Sequence, residues 1–177
     1  FLPADISHQL QVPIILMGYL NPVMQYGLEK FCKDAATAGV SGIILPDLPM
    51  YEYEHIYKSL FEKYGLDFIF LISPQTSVER IKKADKLSSG FIYAVSSSAT
   101  TGKDTDFKDQ VSYFKKIQNM KLKNPVLIGF GIKDKATFDM ACKYSSGAII
   151  GSAYIKALAN NNINESTARF INSVRTL

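Results

Sequence analysis

Gly129-Phe-Gly-Ile-Lys133 and Gly147-Ala-Ile-Ile-Gly-Ser152 decide the fold of this 177-residue chain. Each stretch joins the end of a short apolar run to a glycine-bearing turn, and the second runs on into a helical pattern. Glycine lets the backbone approach an oxyanion closely, and a helix start offers N–H groups without partners. In phosphate-binding (β/α)₈ barrels the loops after the last two strands hold the phosphate. The two runs are therefore interpreted as strands 7 and 8 of such a barrel.

Upstream, the chain alternates apolar runs of strand length with longer amphipathic segments, which predicts a parallel sheet with helical crossovers. The predicted strands lie in Pro13–Tyr19, Ser41–Leu45, Phe68–Ile72, Gly90–Val95, Pro125–Gly129 and Gly147–Ile150. The predicted helices are Leu28–Ala38, Glu52–Tyr64, Val78–Lys86, Lys108–Met120, Lys133–Tyr144, Ala153–Ala159 and Glu165–Val174.

Two α/β architectures fit this alternation. A doubly wound open sheet would be complete with six strands, whereas a (β/α)₈ barrel would lack two. A dinucleotide-binding open sheet carries a glycine-rich turn after its first strand. The first run here is followed by Gly18-Tyr-Leu-Asn-Pro22, which is no such turn. We therefore predict a single, incomplete (β/α)₈ barrel domain over residues 1–177, with strands 3–8 and their helices.

Composition excludes several classes of function. The net charge is +4, but the lysines are scattered, whereas a nucleic-acid-binding surface gathers its cations into one stripe. No run of 18 apolar residues predicts a membrane span. Phe1 and its neighbours form no secretory signal, and without an initiator Met the predicted barrel has no beginning.

Cysteines and histidines give no sign of metal or nucleophilic chemistry. Cys32 and Cys142 lack partners at metal-ligand spacing, and each is predicted to be a small buried residue in a reducing compartment. His8 and His55 are the two histidines, and His55 is expected to be exposed on a polar helix start. We predict no metal site.

A third loop shares the chemistry of the two glycine turns. Ser96-Ser-Ser-Ala-Thr-Thr-Gly102 follows the Gly90–Val95 run. Predicted phosphate-binding loops therefore lie near residues 96–102, 129–133 and 151–156.

Four segments together resemble the successive barrel motifs of the tryptophan synthase α subunit family. They are Pro13-Ile-Ile-Leu-Met-Gly-Tyr-Leu-Asn-Pro-Val23, Gly39-Val-Ser-Gly-Ile-Ile-Leu-Pro-Asp-Leu-Pro49, Gly129-Phe-Gly-Ile132 and Gly147-Ala-Ile-Ile-Gly-Ser152. The likeness runs from about Gln11 to the C-terminus, and Leu-Pro-Asp-Leu-Pro is its most distinctive part. Relative to the family, the first two β/α units are missing.

The resemblance implies a cytoplasmic lyase of tryptophan biosynthesis. Members cleave indole-3-glycerol phosphate to indole and glyceraldehyde 3-phosphate in a retro-aldol reaction, without metal or organic cofactor. Indole then passes to a pyridoxal-phosphate β subunit in an α2β2 assembly. The family's principal catalytic Glu and Asp would lie upstream of Phe1, so the chain alone is expected to be inactive.

The resemblance also assigns roles to residues of this sequence. Tyr93 supports the catalytic acid, and the substrate pocket includes Met17, Tyr19, Thr101 and Phe130. The phosphate is held by Gly102, Gly131, Gly151 and Ser152. The β subunit contacts loops that carry Asn21, Pro22, Asp47 and Pro49.

One departure and two alternatives qualify this interpretation. Ala99 and Thr100 stand where many members have Gly and Val, and Ala in place of Gly restricts the backbone conformations of the 96–102 loop, which closes over substrate in the family. Another phosphate-binding barrel enzyme of histidine or tryptophan biosynthesis would share the glycine turns. A truncated, non-catalytic protein that binds phosphate or activates a partner would also fit a sequence without the two acids.

Overall fold

Short strands and helices alternate in the computed structural model, which describes residues 11–95, 107–129, 131–158 and 162–175. The strands are β1 Ile15–Met17, β2 Gly42–Ile44, β3 Asp67–Phe68, β4 Leu71–Ile72, β5 Ile92–Val95, β6 Val126–Gly129 and β7 Gly147–Ile149. The helices are α1 Leu20–Tyr26, α2 Leu28–Thr37, α3 (Met50–Glu52, a π-helical turn Tyr53–Tyr57, and Lys58–Lys63), α4 Val78–Leu87, α5 Phe107–Asn119, α6 Lys135–Tyr144, α7 Ser152–Ala157 and α8 Ile163–Arg175. Each of the six predicted runs contains strand, so the prediction of an α/β fold is confirmed.

The described strands belong to two sheets. One has the order β1-β2-β3, with both pairs parallel, and the other has the order β4-β5-β6-β7, with β6 and β7 parallel. Parallel pairing with helical crossovers was the expectation for both candidate architectures. That the chain holds six of eight barrel units stays a prediction.

The third apolar run is not one strand, which corrects the sequence interpretation. It is divided between β3 and β4, which belong to different sheets. The backbone N–H groups of Phe68 and Phe70 donate to the side-chain hydroxyls of Ser89 and Ser88, each at 3.1 Å. Because side chains replace a neighbouring strand as the acceptor at these two positions, the run does not form a continuous ladder.

Helix α1 was not predicted, because Asn21 and Pro22 were assigned to a loop. The backbone N–H of Leu20, the first residue of α1, donates to both carboxylate oxygens of Asp47, at 2.9 and 3.0 Å. Proline is tolerated in a first helical turn because its missing N–H would have no intrahelical acceptor there. Asp47 and Pro22 thus stabilise a short helix start that local sequence signals did not reveal.

The chain divides into two compact units, which are described here separately. The first comprises residues up to Leu71 and Glu79–Ile92, and the second comprises Ile72–Val78 and residues from Tyr93 onward. In the first unit, the rings of Tyr53, Phe61, Phe70 and the fully buried Phe68 form a cluster with centroid distances between 4.2 and 6.0 Å. In the second, Tyr113, Phe114, Ile117 and Ile128 are buried.

Both cysteines and His55 can be placed. Cys32 is buried as predicted, and burial raises the pKa of its thiol to about 11, which suppresses the thiolate. Cys142 is exposed, so its predicted burial was wrong; the neighbouring Ala141 takes the buried position on α6. His55 is exposed as predicted and stacks on Tyr51, with ring centroids 4.2 Å apart.

Candidate functional site

The strongest candidate site lies in the second unit, where the paired strands β6 and β7 end. Gly129 of β6 is in register with Ile149 of β7, and the strands run parallel. The turns that follow both strands therefore leave from the same edge of the sheet. In parallel α/β proteins this is the edge at which ligands bind.

A cavity of about 420 Å³ opens between these turns. We call it the β6–β7 cavity; its described lining residues are Tyr93, Gly131, Ile132, Lys133, Ile149, Gly151, Ser152, Ala153 and Lys156. The lining thus includes four residues that the sequence analysis assigned to the site, which are Tyr93, Gly131, Gly151 and Ser152. Their assigned roles in binding and catalysis stay predictions.

Glycine is required in the turn after β6. Gly131 has a φ of +78°, a left-handed conformation that L side chains rarely adopt. Just beyond it, Asp134 begins α6 with a capping box, because its carboxylate accepts from the Thr137 N–H at 2.9 Å and its own backbone N–H donates to the Thr137 hydroxyl at 3.2 Å. The backbone N–H of Lys133 also donates to the Thr137 hydroxyl, at 3.0 Å. This network fixes the chain next to the cavity.

The glycine turn after β7 leads directly into helix α7. Gly151 precedes its first residue, and the Gly151 carbonyl accepts the first helical hydrogen bond from Ile155 at 3.1 Å. The Tyr154 hydroxyl lies 2.9 Å from that of Thr167 on α8, and the Tyr154 ring packs on Phe170. These contacts hold α7 so that Gly151, Ser152 and Lys156 face the cavity.

Tyr93 on β5 contributes an aromatic wall. A Cβ atom built on Gly129 would lie 2.3 Å from the Tyr93 ring and 2.5 Å from its hydroxyl oxygen, so the ring occupies the space that a side chain at residue 129 would need. Only 7% of Tyr93 is exposed, and burial raises the pKa of its phenol. The hydroxyl is therefore neutral at physiological pH and can act as a hydrogen-bond donor.

Lys133 and Lys156 were missed as site residues. Both stand beside the glycine turns in the sequence, and both line the β6–β7 cavity. Their positions in the sequence were the available signal. Lys133 directly follows Gly-Phe-Gly-Ile, and Lys156 lies on the exposed side of the helix that follows Gly-Ser. Scattered lysines elsewhere made them look like ordinary surface residues.

The remaining predicted site residues lie in the first unit or outside the described residues. Met17 and Tyr19 are exposed, by 54% and 68%, and Asn21, Pro22, Asp47 and Pro49 are also exposed. Asp47 is tied to the start of α1, as described above. Thr101, Gly102, Phe130 and the 96–102 loop lie outside the described residues, as does His8.

Two further observations bear on the class of protein to which the chain belongs. Over the described residues, no helix is long and apolar enough to cross a membrane. The same part of the chain brings together no group of three His, Cys, Asp or Glu side chains that could hold a metal ion. A parallel α/β fold with a glycine- and lysine-lined cavity at the carboxyl ends of neighbouring strands is typical of α/β proteins that bind small ligands at this edge of the sheet.

Comparison with known proteins narrows that class to one family. The model of the family described as "Tryptophan synthase alpha chain" matches residues 2–177. The tryptophan synthase alpha chain of Flavobacterium psychrophilum is 50% identical over 171 residues, covering 96% of this chain and 67% of the relative. That of Christiangramia forsetii is 49% identical over 173 residues, covering 97% and 67%. The chain thus spans about two thirds of the length of these curated relatives.

Solved structures agree. The tryptophan synthase A-subunit from Pyrococcus furiosus superposes with a TM-score of 0.84 at 25% identity, over 98% of this chain and 71% of that chain. A tryptophan synthase complex from the same organism gives a TM-score of 0.82 at 25% identity, over 98% and 70%. The chain belongs to the tryptophan synthase α chain family, which confirms the resemblance seen in the sequence and excludes the other phosphate-binding barrels considered there.

Proposed function

We propose that this protein catalyses the α reaction of tryptophan synthase, the retro-aldol cleavage of indole-3-glycerol phosphate to indole and glyceraldehyde 3-phosphate. The observation that carries the proposal is the meeting of Tyr93, Gly131, Gly151 and Ser152 around one cavity in a member of this family. Substrate phosphate would be held by backbone N–H groups of the glycine turns and by the Ser152 hydroxyl, since these are donors that suit an oxyanion.

The chemistry requires two proton transfers. A proton is added to the indole ring carbon that bears the glycerol chain, and a proton leaves the hydroxyl that becomes the aldehyde. The bond between the two carbons then breaks, and indole departs. Positioned carboxylates with separately tuned pKa values suit both transfers. The electrons of the broken bond return to the indole ring, so the step needs no oxidant or reductant, and we expect neither a metal ion nor an organic cofactor to take part.

The acid and base themselves are proposed to lie outside this sequence. No Asp or Glu is among the described residues that line the β6–β7 cavity. Tyr93 would then act in a supporting role, as a neutral hydroxyl in the pocket wall. We expect that the 177-residue stretch expressed by itself releases no indole, and a measurable rate of indole release would contradict this assignment.

A β subunit is the proposed partner. Asn21, Pro22, Asp47 and Pro49 are exposed and therefore available for contact. The partner would carry pyridoxal phosphate and consume the indole, in an α2β2 assembly. A cytoplasmic location follows from this proposed biosynthetic role.

Replacement of Gly151 by Val in the intact enzyme, which would include the acid and base, tests the proposed substrate site. A Cβ at Gly151 would meet no atom of the described residues within 4 Å, so the fold should tolerate the change while the cavity loses space. We expect the KM for indole-3-glycerol phosphate to rise ~10-fold or more, roughly the effect of losing one charge-assisted hydrogen bond. The KM for indole glycerol, which lacks the phosphate, should change little.

Gly151→Ala provides a graded control with a smaller side chain, and its effect should lie between wild type and Gly151→Val. Equal increases in KM for the phosphorylated and unphosphorylated substrates would remove the phosphate from this cavity.

A further inference from the structure

Lys133 and Lys156 reach the β6–β7 cavity from different elements. Lys133 follows the turn after β6, and Lys156 lies on α7, yet both contribute to the lining of one cavity. The described lining residues include two lysines and no Asp or Glu. Such a cavity attracts anions, because two lysines and no acidic residue line its described part. The Asp134 carboxylate acts on Lys133 electrostatically, but it forms no ion pair with Lys133 in the described structure.

Neither ammonium group is used elsewhere in the described structure. Within the described residues, no carboxylate oxygen lies within 4.0 Å of either amine, whereas Lys30, Lys58, Lys63, Lys83 and Lys135 all form ion pairs. Asp134 is adjacent to Lys133 in sequence, but its carboxylate accepts hydrogen bonds from Thr137. The charges of Lys133 and Lys156 therefore remain available to a ligand.

We infer that Lys133 and Lys156 form a cationic pair that recognises the phosphate group of the substrate through its double negative charge. The inference rests on the proposed function and adds two binding residues to it. Backbone N–H groups and the Ser152 hydroxyl are neutral donors, which fix the geometry of the phosphate. A phosphate monoester carries a charge of about −1.5 to −2 at pH 7, so two lysines nearly neutralise it.

Both side chains are exposed, and this sets the size of the expected effect. Ion pairs between exposed groups correspond to about a twofold to fivefold change in binding, and they weaken as salt screens the charges. We therefore expect each lysine to contribute a few-fold to substrate binding and to make that binding dependent on ionic strength. A structural role would produce no such salt dependence.

The test replaces each lysine by Met in the intact enzyme, which keeps the aliphatic stem and removes the charge. Lys133→Met and Lys156→Met should each raise the KM for indole-3-glycerol phosphate ~3-fold, and the double variant ~10-fold. The KM for indole glycerol and both kcat values should stay near wild type. Calorimetric binding of inorganic phosphate should weaken in parallel, and the rise of KM between low and high salt should be smaller in the double variant.

Two control variants separate charge from structure. Lys135→Met removes a lysine from α6 that pairs with Asp139 at 2.8 Å and does not line the cavity, so its KM should not change. Lys133→Arg keeps the charge and should restore most of the lost binding. An equal rise of KM for both substrates, or no difference between Lys133→Met and Lys133→Arg, would overturn the inference.

The Gly151→Val variant keeps this inference distinct from the proposed function. If Gly151→Val raises the KM for the phosphorylated substrate while both lysine variants leave it unchanged, the cationic pair is rejected and the phosphate site stands. If all three leave it unchanged, the phosphate does not bind in this cavity, and both proposals fail.

Discussion

The two units use side-chain size in opposite ways. Around Phe68 in the first unit, the rings of Tyr53, Phe61 and Phe70 fill the interior, with Phe61 and Phe68 fully buried. Around the β6–β7 cavity in the second, glycine is the recurrent residue, and one large ring, Tyr93, lies directly on Gly129. The difference indicates that one region is built for packing and the other to leave space for a ligand.

The two units also differ in whether their charged side chains are bonded within the fold. In the first unit, the Asp47 carboxylate is engaged by the start of α1, so it contributes to structure. In the second, Lys133 and Lys156 line a cavity without an ion-pair partner among the described residues. A group whose hydrogen bonds are satisfied within the fold stabilises it, whereas a charge that faces an open cavity is available for binding.

The largest expected effect comes from Phe68→Ala, which removes the ring at the centre of the aromatic cluster. Loss of a fully buried Phe should lower the free energy of unfolding by ~3–5 kcal/mol, because both the buried area and the packing contacts are lost. Urea denaturation of the purified protein measures this. Tyr51→Ala on the same helix as Tyr53 is the control, since Tyr51 is 65% exposed and its loss should cost less than ~1 kcal/mol. Similar costs for the two variants would mean that the cluster does not stabilise the first unit.

The next largest effect is expected in the second unit, where a methyl group added to Gly129 tests how closely Tyr93 packs on it. Gly129→Ala would place Cβ 2.3 Å from the Tyr93 ring, and we expect a loss of ~1–3 kcal/mol in stability from overpacking. Gly147→Ala should cost less, because its Cβ would meet a movable Leu127 methyl group at 3.0 Å. Gly151→Ala should be nearly neutral, because no atom in the described part of the chain lies within 4 Å of the added methyl group.

A double-mutant cycle tests the cause of that loss. If Gly129→Ala lowers stability through a clash with the Tyr93 ring, the Gly129→Ala/Tyr93→Ala variant should be more stable than the sum of the single changes predicts. Additive costs would assign the loss to another contact. Stability is the readout here, because Tyr93 is itself a proposed site residue.

Sequence patterns predicted the features that depend on neighbours along the chain. The apolar run predicted a buried strand at β2, and the glycines predicted turns at Gly131 and Gly151 after β6 and β7. The phosphate-binding role of these turns stays a prediction. Two features could not be predicted because distant residues determine them. Asp47 caps a helix that begins 27 residues earlier, and the Ser88 and Ser89 hydroxyls accept hydrogen bonds from the third apolar run. The role of Lys133 was missed for another reason, since its sequence neighbours do not show that it lines a cavity.

A smaller effect is expected at Asp47, where the two roles proposed for this residue can be separated. Asp47→Ala leaves the Leu20 N–H without its acceptor, and we expect a loss of ~0.5–1 kcal/mol, the low end for a helix cap because the site is exposed. Asp47→Asn keeps an acceptor oxygen and should lose less. Thermal unfolding measures both variants.

Activation by an added β subunit gives the second readout for Asp47. If activation weakens in Asp47→Ala and in Asp47→Asn to the same degree, while only Asp47→Ala loses stability, the carboxylate acts at the partner interface. If activation keeps its wild-type strength while the melting temperature falls, Asp47 serves only to hold α1.

The smallest effect concerns the capping box at the start of α6, beside the cavity. Hydrogen bonds from the Thr137 N–H and hydroxyl lower the pKa of Asp134 below its ordinary value. A carboxyl group whose folded-state pKa is lowered stabilises the fold above its unfolded pKa of about 3.9, and this contribution disappears as the pH falls through the folded pKa. Lysines also lower the pKa values of Glu29, Asp34 and Glu54. The pH dependence of wild-type stability alone therefore does not isolate the contribution of Asp134.

The difference in melting temperature between wild type and Asp134→Asn should be constant from pH 7 to about 5 and shrink below about pH 4. A difference that does not change with pH would show that the Asp134 charge adds nothing beyond an acceptor oxygen.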